Sequence, residues 1–461
     1  MQANNQNSPF IAAEGNFVMN QVQSTALQAL SMAILLFAAL VTYAPHARAI
    51  ELQQITSPGG IKAWLVEDYS VPLISVDVAW RGGASQDPTG QEGLTTYLAA
   101  TLDEGAGEFD AQAFKARQED LAMGLGFSAG RDSFNASLSS LELNKEDSFE
   151  MLRLALNAPR FDDEALTRIK QQMIAGIERN AKKPRTLARE AMRNTLFEGH
   201  TYARPTGGTV ASLAPLSKAE LEAQREALLA RDNMSIAVVG AINAKELGVQ
   251  LDKVFGALPQ KAQLNKVPDI VPVADKTVHV EAASPQTIIQ FAYPGLKRDD
   301  PDYIAAYVMN HILGGGSFSS WLYDEVREKR GLSYSVGSYL VPYAHAGLLL
   351  GQTSTRAAQA GEALSVIEAQ LERMATQGPT AEELALAKSY LTGSYPLGFD
   401  SSSAISDQLV GIQFSGLGAE YLDTRNSLID AVTLEDIKRV AGRLLGGSKP
   451  TIVTVGPTKA D

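Results

Sequence analysis

The sequence predicts an α+β protein made of two homologous halves, each with helices packed over a sheet. Three observations carry this. Over residues 71–80, Ile74, Val76, Val78 and Trp80 alternate with Ser75, Asp77 and Ala79, the two-residue period of a strand with one buried face. Over residues 163–181, Leu166, Ile169, Met173, Ile174 and Ile177 recur at helical spacing, an apolar stripe broad enough to cover a sheet. A strand, strand, loop, helix order then occurs twice. Ile236-Ala237-Val238-Val239-Gly240 in the first half has a counterpart in Ile452-Val453-Thr454-Val455-Gly456 at the end of the second, which reads as a duplication of about 200 residues. Strands, then helices, then a closing strand is the order of an α+β domain.

The chain has 461 residues, room for roughly two to four domains. Its hydrophobic content of 45% and charged content of 20% are those of a globular protein. A formal net charge of -12 argues against nucleic acid and anionic membranes as partners, and among peptides it weakly favours neutral or basic ones. There are no cysteines, so disulfides, zinc–thiolate sites and thiol catalysis are excluded. Residues 1–30 are polar, residues 32–41 are apolar, and Ala47-Arg48-Ala49 follows. That pattern predicts a secretory signal cleaved after Ala49 and a mature chain in the periplasm, with no membrane contact. No Lys or Arg precedes Arg48, so the usual basic start is missing. A retained membrane anchor or a helix of the mature chain are the alternatives.

In order, a strand at 61–66 follows a turn at Gly60, and the strand at 71–80 leads through a loop into a helix at about 93–102. Phe134, Ala136 and Leu138 mark another strand. Leu141 and Leu143 are out of phase with it, which predicts a bulge or the strand's end near Ser140. The long helix at 163–181 precedes Pro184, which opens a new segment. Pro259, Pro268 and Pro272 mark a polar boundary, giving a first half over 50–262, a linker over 263–275 and a second half over 276–461. There, strands at 276–280 and 287–293 precede a helix at 303–313. A strand around Leu348-Leu349-Leu350 leads to Thr355, read as a helix cap, and a helix at 362–374. Thr380 with Glu383 forms a capping box, and Thr433 caps a helix at 434–445.

The most pointed stretch is Leu313 to Val336. Gly314, Gly315 and Gly316 read as a turn where backbone can approach a ligand closely. A short helix follows with Leu322 and Val326 on one face, Gly331 stops it, and Ser333 starts a strand. Arg327 and Tyr334 flank this corner. A guanidinium fork and a phenol there could address one carbonyl or carboxylate. The plain alternative is a surface ion pair for Arg327 and a core-edge place for Tyr334.

This stretch resembles the C-terminal signature of the M16 (pitrilysin-like, inverzincin) peptidases, L-G-G-G-x-x-S-S-R-L-x-x-x-x-R-E-K-R-G-L-x-Y-x-V, with Trp321 where Arg is usual. The resemblance covers roughly residues 50–458. It implies two mainly antiparallel halves facing each other as a clamshell, with Arg327, Tyr334 and the three glycines binding substrate backbone. Peptide-cleaving members carry H-x-x-E-H on the helix matching residues 93–102, and a further Glu on the long helix. Here Thr96 and Ala100 stand at the histidine positions, Ala99 at the catalytic Glu and Gly176 at the third ligand. The five histidines, His46, His200, His279, His311 and His345, contain no i,i+4 pair. A zinc site from scattered residues such as His311 and His345 is a remote alternative. His200-Thr201-Tyr202 matches a structural H-P-Y loop of the family. Ser317, Ser319 and Ser320 lack a G-x-S-x-G elbow or a His–Asp partner.

The resemblance therefore implies a non-catalytic, peptide-binding subunit of a heterodimeric zinc metallopeptidase. This chain would hold no cofactor, and zinc would sit in an H-x-x-E-H-bearing partner. A protein-binding scaffold without a role in turnover is the alternative.

Overall fold

The alternation at residues 71–80 does build a strand, and it lies inside a sheet. The first half contributes β1 (Leu52–Thr56), β2 (Lys62–Glu67), β3 (Leu73–Arg81), β4 (Gly124–Ala129), β5 (Ser133–Leu141) and β6 (Met234–Gly240), ordered β1-β2-β6-β3-β5-β4. The second contributes β7 (Thr277–Glu281), β8 (Gln286–Pro294), β9 (Ser333–Pro342), β10 (Gly347–Arg356) and β11 (Thr451–Gly456), ordered β7-β11-β8-β10-β9. The structure, a computed structural model, describes residues 51–457. The expected signal segment and its cleavage point lie outside the described residues.

Apart from β1, the two sheets have one topology. β2 runs parallel to β6 as β7 does to β11. The neighbours β3, β5 and β4 are antiparallel in turn, as are β8, β10 and β9. The closing strands that looked alike in sequence thus hold the same place in each sheet. The fold is α+β in two related halves, in the clamshell arrangement that the resemblance implied.

Each sheet buries one face under helices of its own half. Ile74, Val76, Val78 and Trp80 join Leu98, Phe149 and Phe255 in the first core. Ile289, Phe291 and Tyr293 join Ile312, Ile367 and Val440 in the second. The opposite faces are not left to solvent, contrary to the expectation of helices over one face. Each half places a helix on the other's sheet. The Ser402–Phe414 helix reaches the first sheet: Ser406 donates to Asp77 and lies 2.9 Å from the Ser75 hydroxyl, and Gln413 donates to the Ile236 carbonyl at 2.8 Å. Reciprocally, Ala188, Met192 and Leu196 of the Pro184–Leu196 helix pack on Ile288, Ala292, Val453 and Val455.

Local differences have local causes. The first helix is shorter than expected, Leu94–Ala99, and the Thr101 hydroxyl bonds back to the Tyr97 and Leu98 carbonyls beyond its end. β5 ends at Leu141 without a register shift against β3, so Leu141 marks an end and not a bulge. Thr355 caps nothing. It lies within β10, and its hydroxyl donates to the Leu332 carbonyl. Residues 263–275 carry no helix or strand. They are tied to both sides, with Gln263 N–H donating to Ala227 at 2.9 Å and Ile270 N–H to His345 at 2.9 Å. Among the described residues no helix is long and apolar enough to cross a membrane.

Candidate functional site

The helix matching the family's metal helix is set by a buried carboxylate. Asp87 accepts from the Gly93 and Thr95 N–H groups at 2.8 and 3.0 Å and from the Thr95 hydroxyl at 2.5 Å. Burial pushes Asp87 up to about 6 despite these hydrogen bonds, which favour its charged form. Gly93 sits at a φ of 91°, and a Cβ there would lie 2.8 Å from the Gly207 backbone. The 205–208 loop can therefore close onto the helix start only over a glycine.

At the four substituted positions, the Thr96 hydroxyl donates to the Thr206 carbonyl at 2.7 Å. Ala99 is buried, and Ala100 is packed against the same core. Gly176, on the Asp163–Asn180 helix, faces open space: a Cβ there meets nothing within 4 Å. Zinc takes imidazole, thiolate or carboxylate ligands. One engaged hydroxyl and three positions without a side-chain donor do not fit it. No group of three or more His, Cys, Asp or Glu side chains that could hold a metal occurs among the described residues. His311 stacks on Tyr390 at 5.1 Å and His345 faces Asp269 at 3.1 Å, so neither joins such a group. His200 is structural, as its H-P-Y-like context implied. Its Nδ1 accepts from Tyr202 N–H at 3.1 Å, and its Nε2 bonds the Pro268 carbonyl at 2.9 Å.

The second predicted constellation does assemble. The glycine stretch is not a free turn: His311–Gly315 continues the Tyr303–Asn310 helix as a π-turn. A Cβ on Gly314 would meet Ser338 N at 2.7 Å and Leu322 Cδ1 at 2.8 Å, while Gly315 and Gly316 abut Asn310 and His311. In this conformation Gly314 is buried against β9 and Leu322, Gly316 is half-buried against His311, and Gly315 is exposed. The Trp321–Tyr323 helix runs into a second π-turn, Asp324–Glu328, and Leu322 and Val326 are both fully buried, as their shared face predicted. Trp321 is buried too. Its Nε1 donates to Glu383 at 2.7 Å and Arg373 lies 3.6 Å from its ring.

Gly331, at a φ of 59°, ends this segment and β9 begins at Ser333. Thr353 faces Val336 while Thr355 faces Ser333, which leaves β9 with one extra residue. This β-bulge re-aims a side chain: Tyr334 and Ser335 are both exposed, Tyr334 at 85%. The Thr353 and Ser333 hydroxyls hold the bulge, 2.7 Å apart. Arg327 lies over the ring of Tyr334 at 4.9 Å, with Tyr323 at 4.7 Å and Phe318 at 5.9 Å. Its one ion pair among the described residues is a loose 3.8 Å contact with Glu328. Most of its fork of donors is left free of protein carboxylates.

A cleft of about 880 Å³ lies beside the Pro184–Leu196 helix where that helix packs on the second sheet. Thr96 and Gly176 lie in one wall; Gln290 and Ser335 lie in the other. Arg327, Tyr334 and the three glycines are not wall residues, but Ser335 adjoins Tyr334 in the bulge. Sequence reading missed the four arginines of this cleft, Arg131, Arg185, Arg189 and Arg193, which accompany a single acid, Glu190. The i,i+4,i+8 spacing of Arg185, Arg189 and Arg193 was the available signal. Burial lowers the pKa of Arg193, and the positive neighbours Arg131 and Arg189 act in the same direction while Glu190 opposes them.

Residues 215–391 match the family model for the peptidase M16 inactive domain. The M16 inactive domain from Pseudomonas fluorescens is 32% identical and superposes with a TM-score of 0.84, over 89% of this chain and 99% of that one. A non-peptidase homolog of Helicobacter pylori is 25% identical, with 80% of this chain and 86% of the relative covered. An uncharacterized zinc protease of Streptomyces coelicolor is 29% identical over 58% of this chain and 59% of its own length. Two halves of one topology agree with these likenesses: the chain belongs to the M16 (pitrilysin-like) peptidase family, and it is similar to members described as inactive or non-peptidase.

Proposed function

We propose that this chain is the substrate-binding subunit of a two-subunit zinc metallopeptidase of the periplasm, reached through a signal cleaved after Ala49. The observation that carries the reading is the contrast between its two constellations. The helix positions that would hold zinc bear no ligands, whereas Arg327 and Tyr334 meet on a bulged strand edge with the phenol exposed and the guanidinium largely unpaired. In this reading the partner's H-x-x-E-H helix supplies zinc and the general base. Arg327 and Tyr334 hold the peptide backbone and stabilise charge developing on the scissile carbonyl. Residues 50–262 and 276–461 act as the two jaws, joined by 263–275.

The test is peptide hydrolysis by the chain alone and mixed with an H-x-x-E-H-bearing M16 protein encoded beside it. The expected result is no hydrolysis alone and zinc-dependent hydrolysis in the mixture. Arg327→Ala or Tyr334→Phe should then lower the rate, by roughly 10²-fold, the loss typical of a missing charge-stabilising donor. Zinc-dependent cleavage by the lone chain would overturn the reading. The packing of Gly314 against β9 and Leu322 favours a second reading, a scaffold of the peptidase fold. Tight complex formation with full activity in both variants would support it.

A further inference from the structure

The chain as a whole is acidic, yet its cleft is basic, and this separation points to the ligand. Arg185, Arg189 and Arg193 stand at i, i+4 and i+8 of one helix and all line the cleft. Arg131 approaches from the β4–β5 turn and is already engaged, donating to the Tyr202 carbonyl at 2.9 Å and lying over the Tyr202 ring at 5.2 Å. Arg193 donates to the Ala203 carbonyl at 2.7 Å. The side chains of Arg185 and Arg189 make no hydrogen bond or ion pair to any described residue, and Glu190 is the only carboxylate among the described residues of the walls. Four guanidinium groups facing one acid leave an uncompensated positive field in a partly desolvated cleft, where fields are strengthened.

The facing wall adds an independent sign of a ligand. Gln290, 8% exposed, lines the cleft, and its Oε1 is buried without a hydrogen-bond partner. A buried acceptor left unpaired costs stability, and a peptide N–H would satisfy it. The spacing fits the same guest. Arginines four residues apart on a helix stand about 6 Å apart along its axis. Alternate side chains of an extended peptide lie about 6.8 Å apart.

We propose that the cleft binds extended peptide segments carrying carboxylates at alternate positions, held by Arg185, Arg189 and Arg193, with Gln290 accepting from the peptide backbone. This rests on the reading of the chain as a peptide-binding subunit, and it reverses the preference for neutral or basic peptides that net charge suggested. The carboxylates can come from Asp and Glu side chains or from a peptide's C-terminus.

The test is fluorescence anisotropy of the full chain with labelled peptides. One carries Asp at alternate positions with an amidated end, one has neutral side chains and a free C-terminal carboxylate, and one carries Lys at the alternate positions. Binding of the amidated Asp peptide at least tenfold tighter than the Lys peptide assigns side-chain carboxylates. Comparable binding of the free-acid neutral peptide assigns the C-terminus. In either case Arg185→Ala with Arg189→Ala should weaken binding at least tenfold and flatten its salt dependence. Both arginines are exposed, and a circular dichroism melt confirms that the double variant folds. Gln290→Leu should weaken all bound peptides by a smaller factor without altering salt dependence. Equal or tighter binding of the Lys peptide, or unchanged affinity in the double variant, overturns the proposal. If peptides then still bind and lose affinity in Arg327→Ala, the substrate-binding reading survives. If no peptide binds, this proposal fails, and the two-subunit hydrolysis assay decides the broader reading separately.

Discussion

The Pro184–Leu196 and Ser402–Phe414 helices hold equivalent places in the two halves. Each follows a long helix, Asp163–Asn180 or Ala381–Gly393, and each crosses to the other half's sheet. Their contacts differ. The first buries an apolar row, Ala188, Met192 and Leu196, and presents arginines to the cleft beside it. The second carries no basic residue, and meets its sheet partly through hydrogen bonds, with Ser406 on Asp77 and Gln413 on Ile236. Both helices thus serve the same packing role, because each sheet needs its second face covered. Only the first also lines the cleft with arginines.

The comparison breaks if the two helices are not both staples. Met192→Ala and Leu409→Ala each remove a buried side chain, and each should cost about 2–5 kcal/mol of stability in urea unfolding. A cost near zero at either site would show that one helix is dispensable.

The loops before the equivalent helices Leu94–Ala99 and Tyr303–Asn310 sharpen it through opposite pH dependence. Asp87 is raised from 3.8 to about 6 by burial. Its contribution to stability is fully present below the unfolded value and lost as pH rises through about 6, a loss on the order of 3 kcal/mol by linkage. Asp300 and Asp302 are lowered, chiefly by hydrogen bonds from Arg443 and Arg439 respectively. Their contribution is present above the unfolded carboxylate value and lost as pH falls through the depressed folded value. Denaturation midpoints across pH 3–8 should show Asp87→Asn removing the decline between about pH 4 and 6. Arg443→Gln should instead weaken the acid-side decline.

Ser406→Ala deprives the half-buried Asp77, itself raised by burial, of the hydroxyl that favours its charge. The expected cost is about 1–3 kcal/mol, larger above the raised Asp77 value, where the hydroxyl serves a carboxylate, than below it. Equal costs at pH 4 and pH 8 would place the effect in packing alone. The smallest effect belongs to Arg185→Ala. Its exposed guanidinium has no bond to a described residue, so stability should stay within about 0.5 kcal/mol even where ligand binding changes.

Much of this protein was written in local patterns. The period of two in β3, the period near four in the long helix, the capping box at Thr380, the cap at Thr433 and the matched closing strands are set by neighbours along the chain, so they could be read directly. The absence of paired histidines is likewise a property of sequence alone, as is the proximity of Arg327 and Tyr334 across a short helix-to-strand corner. Strands β1 and β4 are hard to read because weak or mixed patterns take their structure from what they pack against, whereas the Ala244–Phe255 helix was legible in Leu247, Leu251, Val254 and Phe255 behind the Asn243 cap. Tertiary structure alone decided the rest. Ser75 and Asp77 look solvent-facing in a half-buried strand, but a helix more than 300 residues away covers them. Of the glycines that suggested a ligand loop, Gly314 is closed over by β9 while Gly315 stays exposed. Arg185, Arg189 and Arg193 share a helix face by local spacing, but the cleft that they line with Arg131 is made by both halves. Period and spacing report the covering of one element by its neighbours in sequence. Which distant surface then covers the remaining face, and which charges come to share a cleft, depends on contacts that no local pattern encodes.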